Sequence, residues 1–378
     1  MTGNPTTASP SASLPQRSIA IVGGGTAGHV YPALAIADAY RAAVPNVRIV
    51  FIGTHHGFEG RLVPSRGYRL ELIPGAPLFG VGVLGRGRAL WQVLTGMVAA
   101  RRVLRASGAQ LVIGLGGYAT AGTMLAARSL GLRTAIHESN AAPGLANRWL
   151  GHLVDRVYLG FAAAAAAFPA GRVLVTGVPT SPMPVEEPAA RQPPAGRALH
   201  VLVTGGSQGS AFLNRRLPDL LGRVIGGGIS MEVQHQTGDA DVGLVCQAYD
   251  RLGIAAAVLP YIEPMVEAYQ WADFAVTCAG AVTLAELAVN ALPALVVPLA
   301  TAAEDHQAAN ARAFAAETGC PYVREADWQT EALATVLVAL FKDTARLRLM
   351  SQQCHRMAKP NAAQIVVAES EALLSRRP

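Results

Sequence analysis

The 378-residue chain predicts an α/β protein of two Rossmann-like domains, each built on a parallel sheet, and three observations carry that expectation. Short β-branched runs alternate with alanine-rich helical stretches, which implies parallel strands with helices on both faces. Glycine-rich turns follow the strand-like runs directly. The strand–glycine–helix unit then recurs in the second half of the chain, beyond a Pro- and Glu-rich stretch, Pro179 to Pro194, that contains or adjoins a linker.

Taken in order, Ile19 to Val22 is the first strand, and it enters Gly23-Gly24-Gly25-Thr26-Ala27-Gly28-His29 before a helix over Ala33 to Ala42. Val47 to Ile52 is the next strand. Leu111-Val112-Ile113 leads into Gly114-Leu115-Gly116-Gly117-Tyr118, and Arg133 to Ile136 into His137-Glu138-Ser139-Asn140. In the second half, Leu199 to Val203 enters Thr204-Gly205-Gly206-Ser207-Gln208-Gly209-Ser210. Phe274 to Thr277 enters Cys278-Ala279-Gly280-Ala281, and Ala294 to Val297 enters Pro298-Leu299. Ligands of open α/β sheets bind outside the carboxyl ends of the strands, where nearly all these turns fall. The expected division is a disordered tail over 1–17, one domain over 18–178, a second over 179–356, and a C-terminal helix over 357–378 packing back on the first domain.

A composition of 51% hydrophobic and 15% charged residues describes a folded protein and excludes a disordered one. No apolar run reaches the roughly 20 residues that span a bilayer. Cys246, Cys278, Cys320 and Cys354 form no C-x-x-C pair, which argues against a disulfide framework or zinc site and fits a reducing cytoplasm. The net charge of +6 favours an anionic partner. No basic stripe with interleaved aromatics suggests nucleic acid.

Gly23, Gly25 and Gly28 have the G-x-G-x-x-G spacing of a dinucleotide-binding turn. A nicotinamide site also needs an acidic residue near the end of the next strand, and Phe51-Ile52-Gly53-Thr54-His55-His56 supplies none before Glu59. A Walker-type G-x-x-x-x-G-K-[S/T] is missing too. What remains is a cleft whose amides and helix N-termini stabilise oxyanions, an arrangement that suits the diphosphate leaving group of a sugar nucleotide.

Six blocks, in order along the chain, resemble the MurG family of peptidoglycan glycosyltransferases. They are Gly24 to Pro32, Gly114 to Tyr118, His137 to Asn140 with Pro143-Gly144, Gly205 to Gly209, Ala281 to Glu286, and Pro298-Leu299 through His306, Gln307 and Asn310. The resemblance implies a GT-B architecture and an inverting hexosyltransferase. Such an enzyme moves N-acetylglucosamine from its UDP-sugar to undecaprenyl-pyrophosphoryl-N-acetylmuramoyl-pentapeptide, turning lipid I into lipid II for the cell wall. It implies no metal or other cofactor, and a place on the cytoplasmic face of the cell membrane. Rivals are a GT-B enzyme acting on another lipid acceptor, a hydrolysing sugar-nucleotide epimerase, and a non-catalytic UDP-sugar-binding protein.

Carried over residue by residue, the resemblance implies that His29 is the base that takes the acceptor's C4 hydroxyl proton, with Glu138 as the rival. A helix N-terminus disfavours imidazolium and keeps the ring available. Thr26, Ala27, Gly28 and Asn140 match donor-contacting positions, and Ser207 and Gln208 match those that hold the UDP phosphates. Ala281, Val282, Thr283, Leu284, Ala285 and Glu286 match the helix start facing the nucleotide, with Glu286 accepting from the ribose hydroxyls. Ile262 matches the position whose backbone reads uracil, and Gln307 a sugar-hydroxyl contact. Two departures stand out. Thr180 and Ser181 occupy a segment where relatives often carry arginine, and Ala27 replaces a common glycine.

Pro77 to Arg88 is expected as a surface loop, too apolar at Leu78, Phe79, Val81 and Leu84 to lie free in water and flanked by Arg86 and Arg88. With Trp91 it is the candidate contact to an anionic membrane; core packing or a dimer contact is the alternative. Leu90, Val93, Leu94, Met97 and Val98 follow helical spacing and are expected to face the core.

Overall fold

The computed structural model describes residues 17–55, 57–75, 83–117, 119–183, 196–206 and 208–376. The first sheet contains β1 (Ser18–Val22), β2 (Arg48–Gly53), β3 (Arg69–Leu72), β4 (Leu111–Gly114), β5 (Arg133–Glu138), β6 (Arg156–Leu159) and β7 (Val173–Val175). Its seven strands are all parallel, in the order β3-β2-β1-β4-β5-β6-β7. Around it lie α1 (Ala27–Ala43), α2 (Glu59–Ser65), α3 (Val83–Ser107), α4 (Thr120–Ser129) and α5 (Leu145–Leu150).

The second sheet contains β8 (Leu199–Thr204), β9 (Met231–Gln236), β10 (Ala256–Leu259), β11 (Phe274–Thr277) and β12 (Ala294–Val296), in the parallel order β10-β9-β8-β11-β12. Its helices are α6 (Ala211–Gly226), α7 (Val242–Leu252), α8 (Met265–Trp271), α9 (Ala281–Val289), α10 (His306–Thr318), α11 (Thr330–Lys342) and α12 (Thr344–Met357). A last helix, α13 (Ala362–Ser375), leaves this domain.

Strand alternation sorts β1 between two cores, because successive side chains point to opposite faces. Ala20 and Val22 pack with Ala100, Leu104 and Met124 from α3 and α4. Ile19 and Ile21 pack with Val30, Leu34 and Ile36 of α1 and with Val366, Val367 and Leu373 of α13. Polar bonds secure that return crossing: Arg17 meets Glu371 at 2.9 Å, and the Tyr158 and Ser370 hydroxyls lie 2.9 Å apart.

In each sheet the strand order reverses beside the first strand, between β1 and β4 and between β8 and β11. A crevice opens at such a switch point, at the carboxyl ends of the strands. The glycine turns after β1, β4 and β8 and the Ala279-Gly280 turn after β11 all sit there.

Two expectations need correction. Arg17 was expected in a disordered tail, yet its carbonyl accepts from Arg48 N at 2.8 Å and continues the strand pairing; residues 1–16 lie outside the described residues. The loop expected over Pro77 to Arg88 is helical from Val83 onward, so Leu84, Arg86 and Arg88 lie on α3. Glycine costs roughly 1 kcal/mol per position in a helix, but adding residues to a helix already nucleated further along is cheap. Leu78, Phe79 and Val81 lie outside the described residues.

Candidate active site

The first glycine turn ends where Thr26 takes the N-cap position of α1 in an extended conformation, φ −118° and ψ 156°. His29, in the first turn of α1, folds its ring back so that Nδ1 lies 3.2 Å from the Gly24 carbonyl and 3.3 Å from Thr26 Oγ1. A carbonyl only accepts, so Nδ1 carries the proton and Nε2 keeps its lone pair. Desolvation holds the imidazole pKa below its ordinary 6.5, although the Glu138 carboxylate pulls the other way. The ring is therefore neutral, in the tautomer a base at Nε2 requires. Gly116, at φ +108°, gives it room, since a Cβ there would come within 2.8 Å of Nε2. Ala27 opens α1 with helical, negative φ, so its methyl is accommodated. Gly28 is exposed beside it.

Glu138 is buried at the end of β5 and is saturated with donors. Asn140 N at 2.9 Å and Asn140 Nδ2 at 3.1 Å donate to Oε1, while Asn147 Nδ2 at 2.9 Å and Gly144 N at 3.3 Å donate to Oε2. A carboxylate so engaged orients the loop after β5 and has no lone pair left for an incoming proton, which disfavours it as the rival base. The oriented group is Asn140, whose Oδ1 accepts from Asn310 Nδ2 at 3.0 Å. Asn310, on α10 and wholly buried, also accepts from Ala141 N at 2.7 Å and donates to the Ala279 carbonyl at 3.1 Å. One amide thus ties the turn after β5 in the first domain to the turn after β11 in the second.

Across the cleft, the second glycine turn runs into α6, where the Ser210 hydroxyl at the N-cap accepts from Leu213 N. Gln208 is exposed on this turn, and Ser207 lies outside the described residues. Ile262 is buried, and its N–H donates to Gln236 Oε1 at 3.2 Å. Gln236 in turn donates through Nε2 to the Gly206 carbonyl at 2.7 Å, which couples the Ile262 segment to the glycine turn. Gln307 Oε1 accepts from Ala279 N at 3.1 Å and Leu299 N at 2.9 Å. Its carbonyl is thus committed internally, and the amide NH₂ is the end available to a sugar hydroxyl.

Glu286 lies on the second turn of α9, where Tyr269 donates its hydroxyl to Oε2 at 2.8 Å. Burial pushes its carboxyl up to about 7. Ala281, Val282, Thr283 and Ala285 share this part of the helix. The Leu284 side chain has none of its surface exposed and packs into the core of the second domain, which leaves this stretch its backbone amides to present. Ser181 is exposed in the connection between the domains.

Sequence reasoning gave Glu59, Gln236 and Asn310 no role. Glu59 comes too late after β2 to grip a ribose; it accepts from Gly25 N in the first glycine turn and from the N–H and hydroxyl of Thr54, pairings that residue type and spacing do not reveal.

Two parallel-sheet domains with glycine turns at their switch points form the GT-B architecture. The glycosyltransferase family 28 N-terminal domain matches residues 19–159, and the family 28 C-terminal domain matches residues 200–366. The UDP-N-acetylglucosamine–N-acetylmuramyl-(pentapeptide) pyrophosphoryl-undecaprenol N-acetylglucosamine transferase of Geobacter metallireducens is 35% identical over 351 residues, 92% of this chain and 96% of that protein. The protein of the same name from Halorhodospira halophila is 39% identical over 358 residues, 94% of this chain and 98% of its own. The crystal structure of Acinetobacter baumannii MurG matches with a TM-score of 0.80 at 30% identity, over 95% of this chain and all of that one. The chain belongs to the MurG family.

Proposed function

We propose that this protein transfers N-acetylglucosamine from UDP-N-acetylglucosamine to the C4 hydroxyl of undecaprenyl-pyrophosphoryl-N-acetylmuramoyl-pentapeptide, the reaction for which its relatives are named. The observation that carries the mechanism is the His29 geometry: Nδ1–H bound to Gly24 leaves Nε2 as an acceptor beside the turn after β4. Nε2 takes the hydroxyl proton as the acceptor oxygen bonds to the anomeric carbon. The bond from that carbon to the UDP oxygen breaks on the opposite face, and its electron pair leaves with UDP. One in-line displacement inverts the configuration.

Negative charge grows on the departing diphosphate. The amides of the turn before α6 and of the first turn of α9 are the donors for it, supported by the helix dipoles. Because these donors do the work often given to a divalent cation, the reaction proceeds without one. Glu286 accepts from the ribose hydroxyls, the Ile262 backbone meets the uracil, and the Gln307 amide and Asn140 contact the sugar.

The lipid acceptor requires contact with a membrane, and no helix among the described residues is long and apolar enough to cross one. The surface we assign is the exposed face of α3, with Trp91 67%, Leu94 50% and Val98 53% exposed and Arg102 and Arg105 exposed a turn or two on. Apolar side chains enter the headgroup boundary, and arginines meet anionic lipid. The active cleft then works at the cytoplasmic face, where the nucleotide sugar is made.

The test is an assay with labelled UDP-N-acetylglucosamine and a short-chain lipid I analogue, with and without EDTA. Labelled disaccharide lipid in both is expected. Hydrolysis of the donor alone, or transfer only to a different lipid acceptor, would overturn the reading, and loss with EDTA would overturn metal independence.

A further inference from the structure

Resting on His29 as the base, we propose that Glu59 is a positioning residue that clamps the first glycine turn and thereby fixes the His29 ring. Glu59 opens α2 with none of its surface exposed. A buried carboxylate is costly unless donors surround it. Here they are all local to two loops. Gly25 N donates to Oε2 at 2.8 Å, and Thr54 donates to Oε1 through its N–H at 2.9 Å and its hydroxyl at 3.2 Å. Three glycines make the space, for a Cβ on Gly24, Gly53 or Gly57 would fall 2.2, 2.6 or 1.9 Å from atoms of the Glu59 side chain.

On the other side of the turn, a Cβ on Gly117 would come within 2.4 Å of the Gly24 carbonyl oxygen. The Gly24 peptide is thus gripped between the Glu59 carboxylate and the turn after β4, and its carbonyl receives the His29 Nδ1–H. The chain of contacts runs from Glu59 to Gly25 N–H, through the Gly24 carbonyl, to the His29 tautomer. If the turn slackens, Nδ1 loses its acceptor. The ring is then free to rotate or to carry its proton on Nε2, where it is no base. A carboxylate just past the second strand, where a dinucleotide enzyme grips ribose, here faces the backbone of the glycine turn.

Glutamine at this position cannot reproduce the clamp. All three partners donate, so its NH₂ would confront either Gly25 N–H or Thr54 N–H. The experiment compares wild type, E59Q, E59D, H29A and the E59Q/H29A double variant. It reads kcat with both substrates saturating, thermal unfolding, and the ¹⁵N shifts of the His29 ring.

E59Q is expected to lower kcat by about tenfold to a hundredfold, the scale of a displaced catalytic group, and to shift the ring from a single Nδ1–H tautomer to a mixture. E59D should recover part of both. In the H29A background E59Q should change kcat less than about twofold, since paired residues acting as one unit do not add. An equal loss in that background, or a lost kcat with unchanged ring shifts, would overturn the clamp. Should H29A keep wild-type kcat, the base assignment fails instead, and the ring shifts still decide whether Glu59 holds His29. If E59Q does not fold, T54V removes one of the three donors, and the same shift in tautomer is expected to a smaller degree. Unchanged ring shifts in T54V would then count against the clamp.

Discussion

At Glu286, burial and the ribose contact proposed for it pull in opposite directions. Its carboxyl sits at about 7 against an ordinary 4.5 because desolvation penalises the charge. Between those values the folded protein holds the proton more tightly than the unfolded chain, so its contribution to stability falls as pH rises through the window and levels off above about 7. Ribose hydroxyls donate best to the ionised form. Affinity for UDP-N-acetylglucosamine, measured by calorimetry, should therefore weaken towards ~tenfold per pH unit below 7. E286Q should bind weakly at every pH and unfold at higher temperature than wild type at pH 8. A wild-type affinity flat from pH 5.5 to 8 would remove Glu286 from the ribose site. Asn310 gives a second test. N310A strands the Ala141 N–H and the Ala279 carbonyl, each costing about 1–3 kcal/mol when buried without a partner. Denaturant unfolding should show that loss; a midpoint equal to wild type would mean the cross-domain tie is unimportant. At this scale the position of His29 was legible, because the strand–glycine–helix unit places it in the first turn of α1. Glu59, Gln236 and Asn310 were not, since each bonds to backbone that only the tertiary fold brings near.

Elements were read well where period and punctuation agree. The strands before the glycine turns are short apolar runs ended by residues that cannot continue them, and β1, β4, β8 and β11 fall where those runs lie. The start of α3 was misread because Gly80, Gly82, Gly85 and Gly87 argue locally for a loop, while the helix behind them decides the outcome from Val83. Its buried face was misread as well. Helical spacing identifies an apolar stripe but not what covers it, and Leu94 and Val98 are exposed. That exposure, beside Trp91 and two exposed arginines, supports an anionic bilayer as the partner. Neutralising the pair in R102Q/R105Q should weaken binding to phosphatidylglycerol vesicles by about 2 kcal/mol, roughly thirtyfold. The effect should fade at high salt. Binding unchanged in sedimentation assays would move the membrane contact elsewhere on the protein.

For the whole molecule, the repeated strand–glycine–helix unit was enough to read two wound sheets, because parallel strands require crossover helices and their turns gather at one edge. The pairing of the two edges depends on contacts that no periodicity encodes. These are the Asn140–Asn310 bond and the passage of α13 onto the core of the first domain, where Val366, Val367 and Leu373 join Ile19 and Ile21. In the proposed mechanism those contacts hold the proton acceptor His29 on one domain opposite the diphosphate site on the other, and transfer requires both. The most direct test measures kcat and donor affinity together in H29A. A fall in kcat of about 10²–10⁴-fold, the usual worth of a general base, with a donor Kd within about threefold of wild type, is the expected result. Losses of equal size in both, or a turnover that survives the substitution, would contradict it.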